Sequence, residues 1–209
     1  MNTRLFAAAA CTGALHMLLA AGNNTPVTVQ VDSGNVQFDS ATNFSAVSVH
    51  GKSGALKATV QAHQSGEEVV LEQVKAWLPV KALTTGMGLR DEHMRKYIFT
   101  TADGAMPDLR FTGENLHCPA QMGRETTCPV NGTLSVRGVE RPFSLTLKVK
   151  QERSAPSQFK VSGGASLKLS DYGIERPSQL GVKTEDEVQL HLEFTARETP
   201  LSARVEATK

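Results

Sequence analysis

The sequence predicts an all-β protein, an extended antiparallel β-barrel of eight to ten strands with a short helix inserted at about residues 88–98. Three observations support this prediction. Most of the chain alternates apolar and polar residues, which is the period of a strand that buries one face. Turn signals separate the alternating runs at hairpin spacing, without the intervening helices that parallel strands need. One charged stretch, residues 84–99, interrupts the pattern.

Residues 1–22 have the layout of a secretory signal peptide that is cleaved. Arg4 precedes an apolar stretch from Leu5 to Leu19, and small residues follow at positions 20–22. This stretch is too short for a comfortable membrane span. A lipoprotein signal at Cys11 is an alternative, although only six residues separate Cys11 from Arg4. We therefore expect a periplasmic or secreted protein, with no membrane span in the mature chain.

The remaining chain is expected to form one domain, residues 23–197, followed by a flexible C-terminal tail at 198–209. Residues 1–22 hold one basic residue, Arg4, and no acidic one, so removing them leaves 21 basic and 21 acidic residues. A balanced charge without a basic run argues against nucleic acid as a partner and against electrostatic docking to a membrane.

Strict alternation marks the individual strands, each with one apolar and one polar face. The clearest runs are Val27–Val31, Leu56–His63, Val74–Val80, Phe143–Lys150, Ala165–Leu169 and Val188–Thr195. A two-sheet sandwich and a closed barrel both fit this pattern. Long strands favour the barrel, and so do inward faces of Val, Leu and Ala in a chain with 5% aromatic residues. Small side chains on a barrel wall tend to leave an interior cavity, whereas a solid core is the alternative.

Cys118 and Cys128 lie at the inner ends of adjacent strand-like runs, which predicts a disulfide across a hairpin. On the chain-entropy model such a short loop contributes about 3 kcal/mol. A zinc site is the alternative, but it lacks further cysteines and paired histidines. We expect neither a metal site nor a cofactor.

The charged stretch has the pattern of a short amphipathic helix. Leu89, Met94, Tyr97 and Ile98 share one side of it, and acidic residues precede basic ones, as the helix dipole favours. One interpretation is a solvated helix that only joins two strands. The other is a helix that covers one end of the barrel, closes the apolar interior and brings Arg90 or His93 to the polar head of a ligand.

Several motifs then resemble the YceI-like family of secreted bacterial polyisoprenoid-binding proteins. They occur in the family order at Leu83–Gly86, Leu89–Met94, Ile98–Phe99, Pro107–Gly113, Gly132–Phe143, Ser170–Ile174 and Gly181–Val188. The resemblance implies a lipocalin-like barrel with an isoprenoid chain in its lumen. Residues 39–45 depart from the family pattern, because they lack its His-Ser pair.

The expected function is therefore a binding or carrier protein, not an enzyme, that holds a polyisoprenoid or an isoprenoid quinone. Lipocalin-like barrels with open mouths often pair, so a homodimer is a further expectation. The predicted ligand-binding residues are Arg90, Asp91, His93, Met94, Tyr97, Ile98, Phe99, Phe111, Phe143 and Leu145.

Two other function classes make different structural predictions. A lipid isomerase or cyclase would hold Asp91 and His93 as a hydrogen-bonded acid–base pair facing the lumen. A non-catalytic scaffold of the envelope-stress response would have a filled core and an exposed apolar patch. A carrier requires a continuous apolar tunnel that reaches the 89–99 helix.

Overall fold

The computed structural model describes residues 26–120, 125–179 and 181–199. About two thirds of them form antiparallel β-strands. These strands are β1 Val27–Val31, β2 Gly34–Thr42, β3 Ser48–Ser53, β4 Lys57–Ser65, β5 Glu68–Leu78, β6 Leu109–Pro119, β7 Glu125–Val136, β8 Val139–Glu152, β9 Ala155–Lys168, β10 Ser178–Gln179 and β11 Val182–Thr199.

The sheet closes on itself, because β1 pairs with both β4 and β11. β11 in turn pairs with β9, and the order β4-β5-β6-β7-β8-β9 completes the ring. β1 and β2 both lie along β11, one after the other, and β3 and β4 lie beside them in the same way. The ring therefore consists of eight long strands, two of which are interrupted. The predicted barrel is confirmed and the sandwich is not.

Strands β6 and β7 are joined in two different ways along their length. Ladder pairing connects Arg110–Thr112 with Thr133–Ser135. Farther along, the predicted disulfide between Cys118 and Cys128 is confirmed, with the two Cα atoms 4.9 Å apart. Between these connections, Asn115 has a positive φ of 51°. The disulfide thus joins the two strands beyond the residues that pair in the ladder.

The two ends of the barrel are built differently. At one end, called the helix end here, the connections span residues 43–47, 79–108, 137–138 and 169–181. At the opposite end, the strands are joined by residues 66–67, 120–124 and 153–154. The long connections therefore gather at the helix end, where they are available to form a site.

The helix end contains the predicted helix, which is α-helical over Gly88–Met94 and continues as a π-helical turn over Arg95–Phe99. The preceding strand ends at Leu78, two residues before the predicted end, because Pro79 has no N–H for the ladder. Met94 and Phe99 are buried in an apolar cluster with residues of the barrel wall. That packing attaches the helix to the barrel.

The last strand runs beyond the predicted domain boundary. Glu198 and Thr199 pair with Val29 and Thr28, so they belong to the barrel and not to a tail. Residues 200–209 and the predicted signal peptide lie outside the described residues. Within the described part of the chain, no helix is both long enough and apolar enough to cross a lipid bilayer.

Candidate functional site

The barrel encloses a continuous cavity of about 1910 Å³. Pockets for drug-sized molecules are about 300–1,000 Å³, so this one is large enough for a longer ligand. Alternate residues of the long strands line it, as the period of two predicts. On β8 these are Phe143, Leu145, Leu147 and Val149, and on β11 they include Val188, Leu190, Leu192 and Phe194. The cavity wall is therefore mainly aliphatic.

The cavity runs nearly the whole length of the barrel. Its lining on β11 extends from Val182 at the helix end to Glu198 at the opposite end. At about 3.3 Å per residue and a strand tilt of about 40°, that distance corresponds to roughly 40 Å along the barrel axis. A long, narrow space of this kind suits a linear ligand.

Two glycine residues leave space next to the wall that aromatic rings from neighbouring strands occupy, so these rings take up less of the lumen. The ring of Phe38, which lines the cavity, lies against Gly51 on the neighbouring strand. A Cβ atom at Gly51 would overlap that ring, so a larger residue would force the ring to move. Phe111 lies against Gly132 in the same way. These rings contribute apolar surface to the wall without filling the space.

The 88–99 helix closes part of the lumen at the helix end. Six of its predicted ligand-binding residues line the cavity, namely Arg90, His93, Met94, Tyr97, Ile98 and Phe99. Met94 and Phe99 are also buried, whereas Tyr97 is largely exposed at the mouth. The ring of His93 contacts that of Tyr97 edge-on, with 5.7 Å between centroids. The helix therefore gives the mouth both apolar and polar groups.

Arg90 is the cationic group of this helix that faces the cavity. A terminal guanidinium nitrogen donates to the backbone oxygen of Thr85 at 2.9 Å. Its Nε is buried and has no hydrogen-bond partner among the described residues. Arg90 therefore lines the cavity with a guanidinium group that the Thr85 carbonyl holds in position.

Asp91 does not line the cavity, contrary to the sequence prediction. Its side chain is buried and turned toward the 84–85 segment. The Thr84 hydroxyl donates to it at 2.6 Å, the Thr85 N–H at 2.6 Å and the Thr85 hydroxyl at 2.5 Å. Burial opposes ionisation, but these hydrogen bonds and the charge of Arg95 outweigh it and hold the pKa of Asp91 below its ordinary value. Asp91 therefore fixes the helix to the chain that precedes it.

This arrangement differs from the acid–base pair considered for an enzyme. The carboxylate of Asp91 is engaged by Thr84 and Thr85, while His93 contacts Tyr97. The remaining predicted residues, Phe111, Phe143 and Leu145, lie on the cavity wall away from the helix. Phe111 and Phe143 meet edge-on with centroids 6.3 Å apart. The structure thus brings one predicted set together at the mouth and places the other along the lumen.

The sequence matches the family model of the YceI-like domain over residues 20–196. This protein belongs to the YceI-like family. Its fold is similar to that of a polyisoprenoid binding domain from Saccharophagus degradans implicated in plant cell wall breakdown. That similarity has a TM-score of 0.61 at 16% identity and covers 82% of this chain and 98% of the other.

Two further solved structures share the YceI-like fold. BcnA from Burkholderia cenocepacia aligns with a TM-score of 0.57 at 15% identity, over 77% of this chain and 95% of that one. The YCEI protein of Campylobacter jejuni aligns with a TM-score of 0.54 at 20% identity, over 73% of this chain and 86% of that one. No curated protein matches the sequence significantly.

Sequence reasoning missed three arginines toward the helix end of this YceI-like barrel. Arg110 near the start of β6, Arg137 in the turn between β7 and β8, and Arg176 in the 169–181 connection all line the cavity. Arg176 also pairs with Glu185 at 3.3 Å. Only their position next to a strand end could have indicated them. The residues that the structure describes contain no group of three or more His, Cys, Asp or Glu placed to hold a metal ion.

A polar network lies on the outer face of the barrel. Ser48 is hydrogen-bonded to Nε2 of His50 at 2.6 Å, and Nδ1 of His50 contacts Asp39. The order of these contacts resembles that of a serine hydrolase triad. All three side chains are exposed, however, whereas a triad needs a preorganised, water-excluding site. This cluster is therefore a solvated surface network, of which only Ser48 also borders the cavity.

Proposed function

We propose that this YceI-like protein is a periplasmic or secreted carrier that holds a long apolar lipid, a polyisoprenoid or an isoprenoid quinone, inside the barrel. The observation that carries the proposal is the continuous apolar cavity of about 1910 Å³ that reaches the 88–99 helix. A scaffold was expected to have a filled core, whereas the described residues surround a cavity. The polyisoprenoid-binding domain with the same fold supports the same ligand class.

The size of the cavity and the energetics of burial both allow such a ligand. An extended backbone advances about 1.2 Å per bond, so eight isoprene units span roughly 38 Å, close to the length of the cavity. Each buried CH₂ contributes about 0.8 kcal/mol, so half-burying a forty-carbon chain contributes about 16 kcal/mol. The cost of association is about 4–15 kcal/mol, so binding requires no charged anchor.

Arg90 would then set the orientation of the lipid and its preference for a head group. Arg90 lines the cavity at the helix end, where an anionic or polar head would lie. We expect Arg90→Ala to keep binding of octaprenol, an uncharged isoprenoid alcohol, and to lose about tenfold affinity for octaprenyl pyrophosphate. Equal affinity of the wild-type protein for both lipids would contradict this role.

Native mass spectrometry of the protein purified from a bacterial periplasm, followed by organic extraction, tests the main proposal. A bound mass with an isoprenoid fragmentation pattern is expected. Leu145→Trp should narrow the lumen and lower the affinity for all isoprenoid lipids to a similar extent. Ser144→Trp, on the outward face of the same strand, should leave these affinities unchanged. A protein that stays free of lipid after incubation with quinones and polyprenols would instead favour an envelope-stress scaffold.

A further inference from the structure

The exposed large hydrophobic side chains of the described residues all lie at or near the helix end. They are Phe44, Val47, Trp77, Met87, Leu89 and Tyr97. Trp77 is on β5, one residue before that strand ends. The other five belong to the 43–47 and 79–108 connections, and between 42% and 63% of each is exposed. We call these five residues, Phe44, Val47, Met87, Leu89 and Tyr97, the apolar crown.

The apolar crown is continuous with the interior of the barrel. Val47, Met87, Leu89 and Tyr97 are exposed to solvent and also line the cavity. An apolar surface therefore runs from the lumen to the outside at this end. At the opposite end, the lining includes Val27 and Val69 beside Gln64, Gln151 and Glu198, and none of these is an exposed large hydrophobic side chain. A contiguous exposed apolar surface commonly marks a site of interaction with a protein or a membrane.

We propose that the apolar crown docks on a phospholipid bilayer and opens the cavity toward its acyl region. This inference rests on the proposed function, because an isoprenoid lipid resides in a bilayer before it is bound. Each methylene exposed to water lowers solubility about fourfold, so passage through water is strongly disfavoured. A crown inserted about 5–10 Å into the interface would replace that step with a transfer between two apolar phases.

The side chains of the crown suit the membrane interface. Aromatic residues with a polar tip are enriched at that depth, and Tyr97 lies next to the Lys96 ammonium group, 5.2 Å from the ring centroid. The 79–108 connection has four basic and four acidic residues, so it has no net charge. Docking should therefore depend on apolar insertion, with little requirement for anionic lipid and little dependence on salt.

Flotation with phosphatidylcholine vesicles tests the proposal. The wild-type protein should float with the vesicles, with little change between low and high salt. Met87→Ser combined with Leu89→Ser should weaken partitioning at least about tenfold, and Phe44→Ser combined with Val47→Ser should act in the same direction. Val70→Ser is the matched control, because Val70 faces outward on β5 in the opposite half of the barrel.

A second readout separates docking from lipid binding. Octaprenol delivered in detergent micelles should bind Phe44→Ser, a crown variant whose changed side chain does not line the cavity, as it binds the wild type, while transfer from vesicles should slow about tenfold. Wild-type protein that does not float, or crown variants that float like wild type, would overturn docking. If the crown variants lose a dimer that the wild type forms but float as the wild type does, the crown is a contact surface between two copies of this chain. If wild-type protein floats but takes no octaprenol from micelles, the carrier function fails and docking stands.

Discussion

The helix end and the opposite end of the barrel terminate the same eight strands in different ways. At the helix end, long connections form a mouth with exposed apolar residues, and Asp91 holds the helix in place through buried hydrogen bonds. At the opposite end, short connections join the strands, and a disulfide links β6 to β7. The wall between the ends is mainly apolar, so it favours apolar ligands in general. The two ends differ from each other, so the two orientations of a ligand along the barrel axis are not equivalent.

The difference also concerns the type of interaction that stabilises each end. A covalent link needs little space and suits an end made of short connections. A buried carboxylate with three donors fixes the helix to Thr84 and Thr85 of the same connection, because each hydrogen bond is directional. The backbone of Thr84 in turn pairs with Lys52 of β3. The following four experiments test this comparison of the two ends and of the lumen between them, from the largest expected effect to the smallest.

Asp91→Ala should have the largest effect, because it removes a buried carboxylate that accepts three hydrogen bonds. It leaves the Thr84 and Thr85 donors without their acceptor and the charge of Arg95 uncompensated. We expect the free energy of unfolding, measured with urea, to fall by about 3–5 kcal/mol. Glu92→Ala, exposed on the same helix, is the control and should change little. Equal losses in the two variants would contradict the role of Asp91.

Cys118→Ser combined with Cys128→Ser should destabilise the opposite end by about 3 kcal/mol. For a protein of this size, that corresponds to a decrease in Tm of about 6–12 °C, measurable by calorimetry. A reductant should lower the Tm of the wild-type protein by a similar amount and leave that of the double variant unchanged. A normal Tm in the double variant would mean that packing alone holds β6 against β7.

Gly51→Ala should narrow the cavity near its mouth and leave the barrel folded. The added methyl group overlaps only the ring of Phe38, which can rotate into the lumen. Affinity for octaprenol should decrease about tenfold, the usual cost of overpacking by one group. Gly54→Ala is the matched control, because its added methyl group would meet only the Asn35 side-chain oxygen, at an ordinary contact distance of 3.4 Å. Unchanged affinity in Gly51→Ala would place the ligand away from Phe38.

The pH dependence of stability should report the environment of Asp91, with the smallest effect of the four. Its pKa is lowered in the folded protein, so its ionised form contributes stability above the ordinary pKa of about 3.8. That contribution is lost as the pH falls below this value toward the folded pKa. Urea unfolding of the wild type should therefore weaken more steeply in acid than that of Asp91→Asn. Parallel curves would contradict the lowered pKa.

Much of the barrel could be predicted because the period of two is a local property. The runs that begin at Phe143 and Val188 indicated which side chains face inward, and the structure places them on the cavity wall. The position of the helix and the cysteine pair are also short-range features. The sequence did not reveal that β1 and β2 lie along the same neighbour, because strand pairing depends on residues far apart in the chain.

The candidate site was harder to predict for a related reason. Asp91 was predicted to contact the ligand because it lies close to His93 in the sequence. Its carboxylate is instead turned toward Thr84 and Thr85, which donate hydrogen bonds to it. The Thr-Thr-Gly segment that supplies these donors was visible in the sequence, whereas its geometry was not. In the same way, the place of Phe38 against Gly51 depends on a cross-strand register that no local pattern contains.

The charges that line the cavity also give the lumen an electrical polarity. Arg90, Arg137 and Arg176 line its helix end with one acidic residue, Glu175, whereas Glu198 lies at the other end. Such a charge separation makes the electrostatic potential more positive toward the helix end, and the walls of a cleft focus a potential of this kind. For the lipid proposed above, this polarity would favour an orientation with an anionic head at the mouth and the uncharged chain along the remaining length.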